Sequence, residues 1–162
     1  MKKKIIITGG LGYIGTELCK LYSGVSWNNQ IIVIDNRFIS ERVNQIRNWN
    51  MEFVQGDILD KVLVNKYCKD ANIIHHLAGI TDVPRTKSES SDEKDEKIKL
   101  VAERGTQNIL DVISSKCKVI FPSTHVVYEG IDKVKNNISE DEDLKPMLSY
   151  SSSKAINEKQ LR

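Results

Sequence analysis

The 162-residue chain lacks the features that mark disulfide-bonded, membrane-spanning, metal-held or polyanion-binding proteins. Its three cysteines, Cys19, Cys68 and Cys117, are odd in number, scattered, and in no C-x-x-C pair. This excludes a disulfide framework and a thiolate zinc site, and leaves reduced, buried thiols as the reading. No apolar run approaches the ~18–20 residues needed to span a bilayer. The run Ile5–Ile7 is too short for a signal-peptide core, and glycines follow it at once. A soluble, cytoplasmic protein is expected. Charge of one sign is also missing: 24 Lys and Arg face 22 Asp and Glu, a net +2. With no basic stripe interleaved with aromatics, no nucleic-acid partner is expected. Lys2, Lys3 and Lys4 read as a solvated edge before the first strand. His75 and His76 are adjacent on a strand, so they point to opposite faces, and no acidic or thiol partner is near; no metal is expected.

What is present is an alternation. Ile5–Ile7, 30–35, 51–55, 72–77 and 118–122 read as five short strands, the first two of them buried. Helices are expected from Thr16 to Tyr22, over 59–69 through Leu59, Val62, Leu63 and Tyr67, and over 98–113 through Leu100, Val101, Ile109, Leu110 and Val112. Such alternation specifies an α/β fold, a doubly wound parallel sheet of Rossmann type covered by helices. No repeat or linker divides the chain, and its length suits one domain with a real core. Residues 85–97 contain no apolar side chain and read as a solvated loop, or as a mobile loop near a ligand.

Where the first strand ends, Gly9, Gly12 and Gly15 fall every third residue. Gly9 permits a tight turn, Gly12 lets the backbone approach a pyrophosphate, and Gly15 allows close helix packing. The helix N-terminus then offers free N–H groups to the anion. Asp35 ends the second strand, roughly 20 residues beyond, where a carboxylate accepts ribose hydroxyls and repels a 2′-phosphate. NAD is therefore expected over NADP, although Arg37 is a residue type that holds such a phosphate. Asp57 follows the third strand, where it reads as a contact for the adenine edge or as a helix N-cap.

Tyr150-Ser-Ser-Ser-Lys154 carries the chemistry. On a helix, positions i and i+4 share a face, so the ammonium lies near the phenol. A neighbouring cation favours phenolate, as does a positive nicotinamide ring, and a phenol so placed becomes a base near neutral pH.

Thr8-Gly-Gly-Leu-Gly-Tyr-Ile-Gly15 resembles the opening of the extended short-chain dehydrogenase/reductases, the family of NAD-dependent nucleotide-sugar epimerases and dehydratases. Gly56-Asp57, His76-Leu-Ala-Gly79, the Tyr150–Lys154 motif and Glu158 repeat that family's pattern over essentially the whole chain. The resemblance implies a cofactor-binding set of Gly9, Gly12, Tyr13, Ile14, Gly15, Asp35, Asn36, Asp57, Ile58, Leu77, Ala78 and Gly79, joined by Tyr150 and Lys154. It implies a catalytic trio of Thr124, Tyr150 and Lys154, with Thr124 favoured over its neighbour Ser123. The activity implied is epimerisation of a nucleotide sugar through hydride transfer to NAD and back. A simple dehydrogenase, or a non-catalytic dinucleotide-binding subunit, remains as an alternative.

Four positions depart from the family pattern. His125 and Val126 stand where sugar dehydratases carry acids, which disfavours dehydration. Ala102 stands where many members have Asn before a Gly-Thr pair. Glu129 interrupts the usual Val-Tyr-Gly. Family members also run to about twice this length, and the chain ends about two helical turns past Lys154. The resemblance thus implies that the substrate-binding portion is absent from these residues and that the fifth strand leaves a sheet edge to be covered. It further implies association with that portion or a homodimer, using the helices at 98–115 and 148–162.

Overall fold

A computed structural model describes residues 2–81, 91–132 and 135–162. They gather into two compact units, one of Met1–Gly79 with Arg104–Pro122 and one of Ile80–Glu103 with Ser123–Arg162.

The first unit contains strands β1 (Lys4–Thr8), β2 (Gln30–Asp35), β3 (Glu52–Gln55), β4 (Ile73–His76) and β5 (Lys118–Ile120). Its helices are α1 (Tyr13–Tyr22), α2 (Ser40–Asn48), α3 (Lys61–Cys68) and the last turns of α4 (Asp92–Leu110). All strand pairings are parallel, in the order β3-β2-β1-β4-β5. The chain therefore winds outward from β1 to β3, then returns to place β4 on the other side of β1. In such sheets, ligands bind beyond the strand C-termini at this reversal.

Residue alternation divides the core between the two faces. Ile5, Ile7, Ile31 and Val33 cluster with Cys19 of α1 and Val43 and Ile46 of α2. On the neighbouring positions, Ile6, Ile32, Ile34 and Ile74 are equally buried. Burial on both faces explains why β1 and β2 read as unbroken isoleucine and valine, each side chain contributing about 1.5–3 kcal/mol.

Several elements differ from the sequence expectation. Helix α1 begins at Tyr13 rather than Thr16, because Gly12 already serves as its N-cap. Helix α2 was not anticipated: only Val43 and Ile46 bury, too few for a visible period. It ends in Asn50, whose φ of 56° is the left-handed position that closes helices and that asparagine tolerates better than most residues. In α3 the buried face is Val64 and Cys68, while Val62 is 79% exposed. Asp60, not Asp57, caps this helix, accepting from the backbone N–H of Val62 (2.9 Å) and Leu63 (3.1 Å).

Helix α4 starts at Asp92, six residues before the expected start. Asp92, Glu93 and Asp95 occupy its first turn, where negative charge complements the helix dipole, so this polar stretch is helical rather than loop. The remainder of that stretch, 85–90, lies outside the described residues. The buried positions toward the C-terminal half of α4 are Gly105, Thr106, Asn108 and Ile109, whereas Leu100 is 51% exposed.

The second unit holds the first part of α4, a 3₁₀ turn (His125–Tyr128) and α5 (Ser149–Leu161). Among the described residues, no helix is long and apolar enough to cross a membrane, and no cluster of potential metal ligands occurs. The three cysteines are free; burial pushes the thiols of Cys19 and Cys68 up to about 12, which makes them inert at neutral pH.

Candidate functional site

In the first unit, the turn after β1 is fixed by close approach of backbones. Gly9 has φ of +68°, and a Cβ there would sit 2.6 Å from the Ala78 nitrogen. Only glycine lets the end of β1 lie this close to Leu77–Ala78 beyond β4. A Cβ on Gly15 would come within 2.6 Å of the Gly10 Cα and the Gly9 carbonyl, so at Gly15 the first turn of α1 lies directly against the glycine turn. Gly10, which the spacing argument passed over, is pressed against Val33 of β2.

The first hydrogen bond within α1 runs from the Thr16 N–H to the Gly12 carbonyl (2.9 Å). The N–H groups of Tyr13, Ile14 and Gly15 therefore have no helical carbonyl four residues back, which makes this end a receptor for an anion. Tyr13 and Ile14 are 85% and 60% exposed, apolar side chains open to a covering ligand.

Asp35 sits at the end of β2 and is buried. Its carboxylate accepts from the Leu11 N–H (2.9 Å), the Arg37 N–H (3.0 Å) and the Arg37 Nε (3.2 Å). One side chain thus couples the glycine turn to the end of β2. Arg42 of the unanticipated α2 donates to the Leu11 carbonyl, so Leu11 is held at both its backbone groups. Asn36 donates to Asp57 (3.2 Å), and Asp57 accepts from the Leu59 N–H (2.9 Å). The side chain of Ile58 is buried over Gly105, and Asn108 donates to the Ile58 and Leu59 carbonyls. Ile58 can therefore offer a ligand only its backbone.

Beneath the turn lies a polar chain that the sequence did not suggest. The Ala78 N–H donates to the Thr8 hydroxyl (3.2 Å), which is 2.9 Å from Nδ1 of His76; Nε2 of His76 is 3.0 Å from the Thr106 hydroxyl. Thr8, His76 and Thr106 are all buried, so these bonds fix β1, β4 and α4 together at the ligand end of the sheet. His75 points the other way, to the Tyr22 hydroxyl (2.8 Å), and burial with the Lys118 charge holds its pKa below the ordinary value. Leu77 and Ala78 are half-buried and Gly79 is exposed at the strand end.

The second unit holds the other candidates. Tyr150 and Lys154 lie on α5, with the Lys154 Nζ 5.8 Å from the centre of the Tyr150 ring. Burial pushes the Lys154 ammonium down to about 8. Thr124 precedes the 3₁₀ turn and accepts weakly from the Val126 N–H (3.4 Å), an arrangement that leaves its own hydroxyl hydrogen to donate. Ser123 instead donates to Glu158.

Glu129 reaches the start of α5. Its Oε1 accepts from the backbone N–H of Met147 (2.7 Å) and Leu148 (2.8 Å) and from the Ser151 hydroxyl. Burial alone raises this carboxyl, but the Ser151, Met147 and Leu148 bonds outweigh it, and the pKa falls below the ordinary value. At the other end of α5, Asn157 donates to the Ala102 carbonyl (2.9 Å) and Gln160 to the Glu103 carbonyl (3.0 Å).

The sequence profile of the 3-beta hydroxysteroid dehydrogenase/isomerase family, within the extended short-chain dehydrogenase/reductases, matches residues 6–162. The chain belongs to that family. Among its relatives, CDP-paratose 2-epimerase from Salmonella typhi is 33% identical over 85% of this chain and 41% of the relative. UDP-N-acetyl-alpha-D-glucosaminuronate decarboxylase from Bacillus cytotoxicus is 32% identical over 88% of this chain and 42% of its own length. The crystal structure of UDP-glucose 4-epimerase from Brucella ovis, in complex with NAD, superimposes with a TM-score of 0.77 at 29% identity, covering 98% of this chain and 46% of the other. The extended-family chain thus spans about two fifths of the length of the curated relatives it matches. Relatives of nearly equal identity carry out different reactions, so identity alone does not select one.

Proposed function

We propose that residues 1–162 form the NAD-binding, catalytic-residue-bearing portion of a nucleotide-sugar epimerase. The observation that carries this reading is the conjunction of the Gly9–Gly15 turn at the sheet reversal with a buried Asp35 carboxylate bonded to the Leu11 N–H within that turn. The residues fit NAD. The unbonded N–H groups of Tyr13–Gly15 suit its pyrophosphate, Asp35 suits the adenosine ribose hydroxyls, and Asp57 with the Ile58 backbone suits the adenine edge. Arg37 is the one group that must swing aside. Its side chain is 57% exposed and can turn into solvent, while the Asp35 carboxylate it leaves is 3% exposed and keeps the bonds from the Leu11 and Arg37 N–H groups. Leu77, Ala78 and Gly79 supply a narrow backbone wall.

NAD supplies a hydride acceptor that later returns the hydride. Tyr150 is the base that takes the proton from a sugar hydroxyl, with the Lys154 ammonium beside it on α5, 5.8 Å from the centre of its ring. Thr124 donates its hydroxyl hydrogen to the same sugar oxygen as it becomes a carbonyl. Reversal of these proton movements after the sugar turns over its face inverts one carbon without net redox change. With His125 and Val126 in place of acids, dehydration lacks its proton shuttle.

The grip on the nucleotide diphosphate is assigned to sequence that the longer relatives carry beyond the matched portion. A homodimer through α4 and α5 is the partner arrangement we infer, with the exposed Leu100 as one apolar contact. The free thiols suit a reducing compartment such as the cytoplasm. A second reading, a simple dehydrogenase, is favoured by the name of the matched family. Incubation with NAD and nucleotide sugars separates the two. Epimer formation without accumulated NADH supports the epimerase; stoichiometric NADH without epimer supports the dehydrogenase; NAD binding with neither product leaves a non-catalytic subunit.

A further inference from the structure

Glu129 is where the chain breaks the Val-Tyr-Gly pattern, and the epimerase chemistry gives it no task. Its position does. One carboxylate oxygen collects two backbone N–H groups, from Met147 and Leu148, and the hydroxyl of Ser151. These donors flank Tyr150: two precede it and one follows it. Leu148 is the N-cap of α5, so Glu129 fixes both the entry of the chain and the first helical turn. The Ser151 hydroxyl also accepts from the Leu148 N–H (3.1 Å), which ties the same residues a second time.

The other end of the lever is the turn that carries Thr124. Glu129 closes the 3₁₀ turn His125–Tyr128, its N–H bonded to the Val126 carbonyl (3.1 Å). Next to it, the Gly130 N–H bonds the Lys145 carbonyl and the Lys145 N–H bonds the Val127 carbonyl, both at 2.8 Å. A Cβ on Gly130 would lie 2.6 Å from that Lys145 carbonyl, so the two segments run in close contact. The 124–130 turn and the lead-in to α5 therefore form one stitched piece, and Glu129 is its link to the catalytic helix.

We propose that Glu129 is a positioning residue, whose carboxylate sets the register of Tyr150 and Lys154 against the Thr124 turn. This rests on the assignment of those three residues given above. Glutamine keeps an acceptor oxygen of the same shape, whereas alanine removes the acceptor of the Met147 N–H and leaves the Leu148 N–H and the Ser151 hydroxyl only their bonds to each other's residue.

The test uses the 162-residue chain and needs no turnover. Glu129→Ala, Glu129→Gln and wild type are compared by amide hydrogen exchange over 147–154 and by NMR titration of the Lys154 ammonium, assigned through loss of its signal in Lys154→Met. Calorimetric NAD binding is measured in parallel. For Glu129→Ala we expect exchange over 147–154 to speed up at least about tenfold. The Lys154 titration should move about one unit or more toward its ordinary value as water reaches the side chain. Glu129→Gln should stay close to wild type in both. A residue that merely adds stability would lower the melting temperature without moving the Lys154 titration. Unchanged exchange and titration in Glu129→Ala would overturn the proposal. Should that variant fail to fold, Ser151→Ala removes one of the three bonds, and wild-type exchange in it would overturn the proposal equally. Failure of wild type to bind NAD would count against the proposed function alone, since exchange and titration still report on Glu129.

Discussion

The turn after β1 is held by backbones in close contact and by a buried carboxylate, whereas the segment leading into Tyr150 adds to its backbone contacts with Val127 and Gly130 a set of side-chain hydrogen bonds from Glu129. In the first region, Gly9, Gly10 and Gly15 leave no room for a Cβ, and Leu11 is bonded at both backbone groups. In the second, Glu129 accepts from the exposed Met147 and Leu148 N–H groups and from the part-buried Ser151 hydroxyl, while part-buried bonds of Asn157 and Gln160 hold the far end of α5. Steric contact between backbones has no soft mode, so it fixes the position of the N–H groups proposed to receive a phosphate. Side-chain polar bonds are weaker individually and sensitive to charge and pH, which would suit α5 if Tyr150 exchanges protons as proposed.

The sharpest way to break this contrast is Gly9→Ala. The new Cβ meets the Ala78 backbone at 2.6 Å in a left-handed conformation, so neither neighbour can yield. A loss of at least about 3 kcal/mol in urea unfolding is expected, with NAD binding abolished. Next is Asp35→Ala, which strands the buried Leu11 N–H. It should cost about 1–3 kcal/mol and weaken NAD binding at least about tenfold by calorimetry.

Lys154 sharpens the other side. Its folded value of about 8 lies below the ordinary 10.5, so burial disfavours the charged form. That cost is present in full below pH 8 and relieved as pH rises from 8 toward 10.5. Stability from this group should therefore increase with pH across that window. Lys154→Met should remove any epimerase or dehydrogenase activity yet raise the melting temperature at pH 7, by thermal denaturation. Glu129 has the opposite sign: its contribution is present above about 4.5 and fades as pH falls through its lower folded value. The smallest effect is expected within α3. Val64→Ala should cost about 2 kcal/mol, while Val62→Ala, at a 79% exposed position, should stay within about 0.5 kcal/mol.

The legibility of the chain in its sequence follows the same division. Strands β1 and β2 could be read because each is a β-branched run buried on both faces, the three shorter strands because they recur between helical segments, and the glycine turn because its spacing is dictated by backbone contact. Helix α2 could not, since two buried residues in nine make no period, and with it went Arg42. The face of α4 was misjudged for a related reason: Thr106 and Asn108 bury because they hydrogen-bond His76 and the Ile58 carbonyl, which hydropathy does not see. In 92–97, charge concealed a helix start. The Tyr150–Lys154 pair was visible from i, i+4 spacing, but Glu129 looked like a defect until its three donors were in view.

Calorimetric titration of the chain with NAD+ and NADP+ tests the central claim most directly, because the Gly9–Gly15 turn and Asp35 are said to form a receptor for the unphosphorylated dinucleotide. The account predicts saturable binding of NAD+, at least about tenfold tighter than NADP+, since a 2′-phosphate would be set against the Asp35 carboxylate. Absence of binding by either nucleotide, or tighter binding of NADP+ through Arg37, would contradict it.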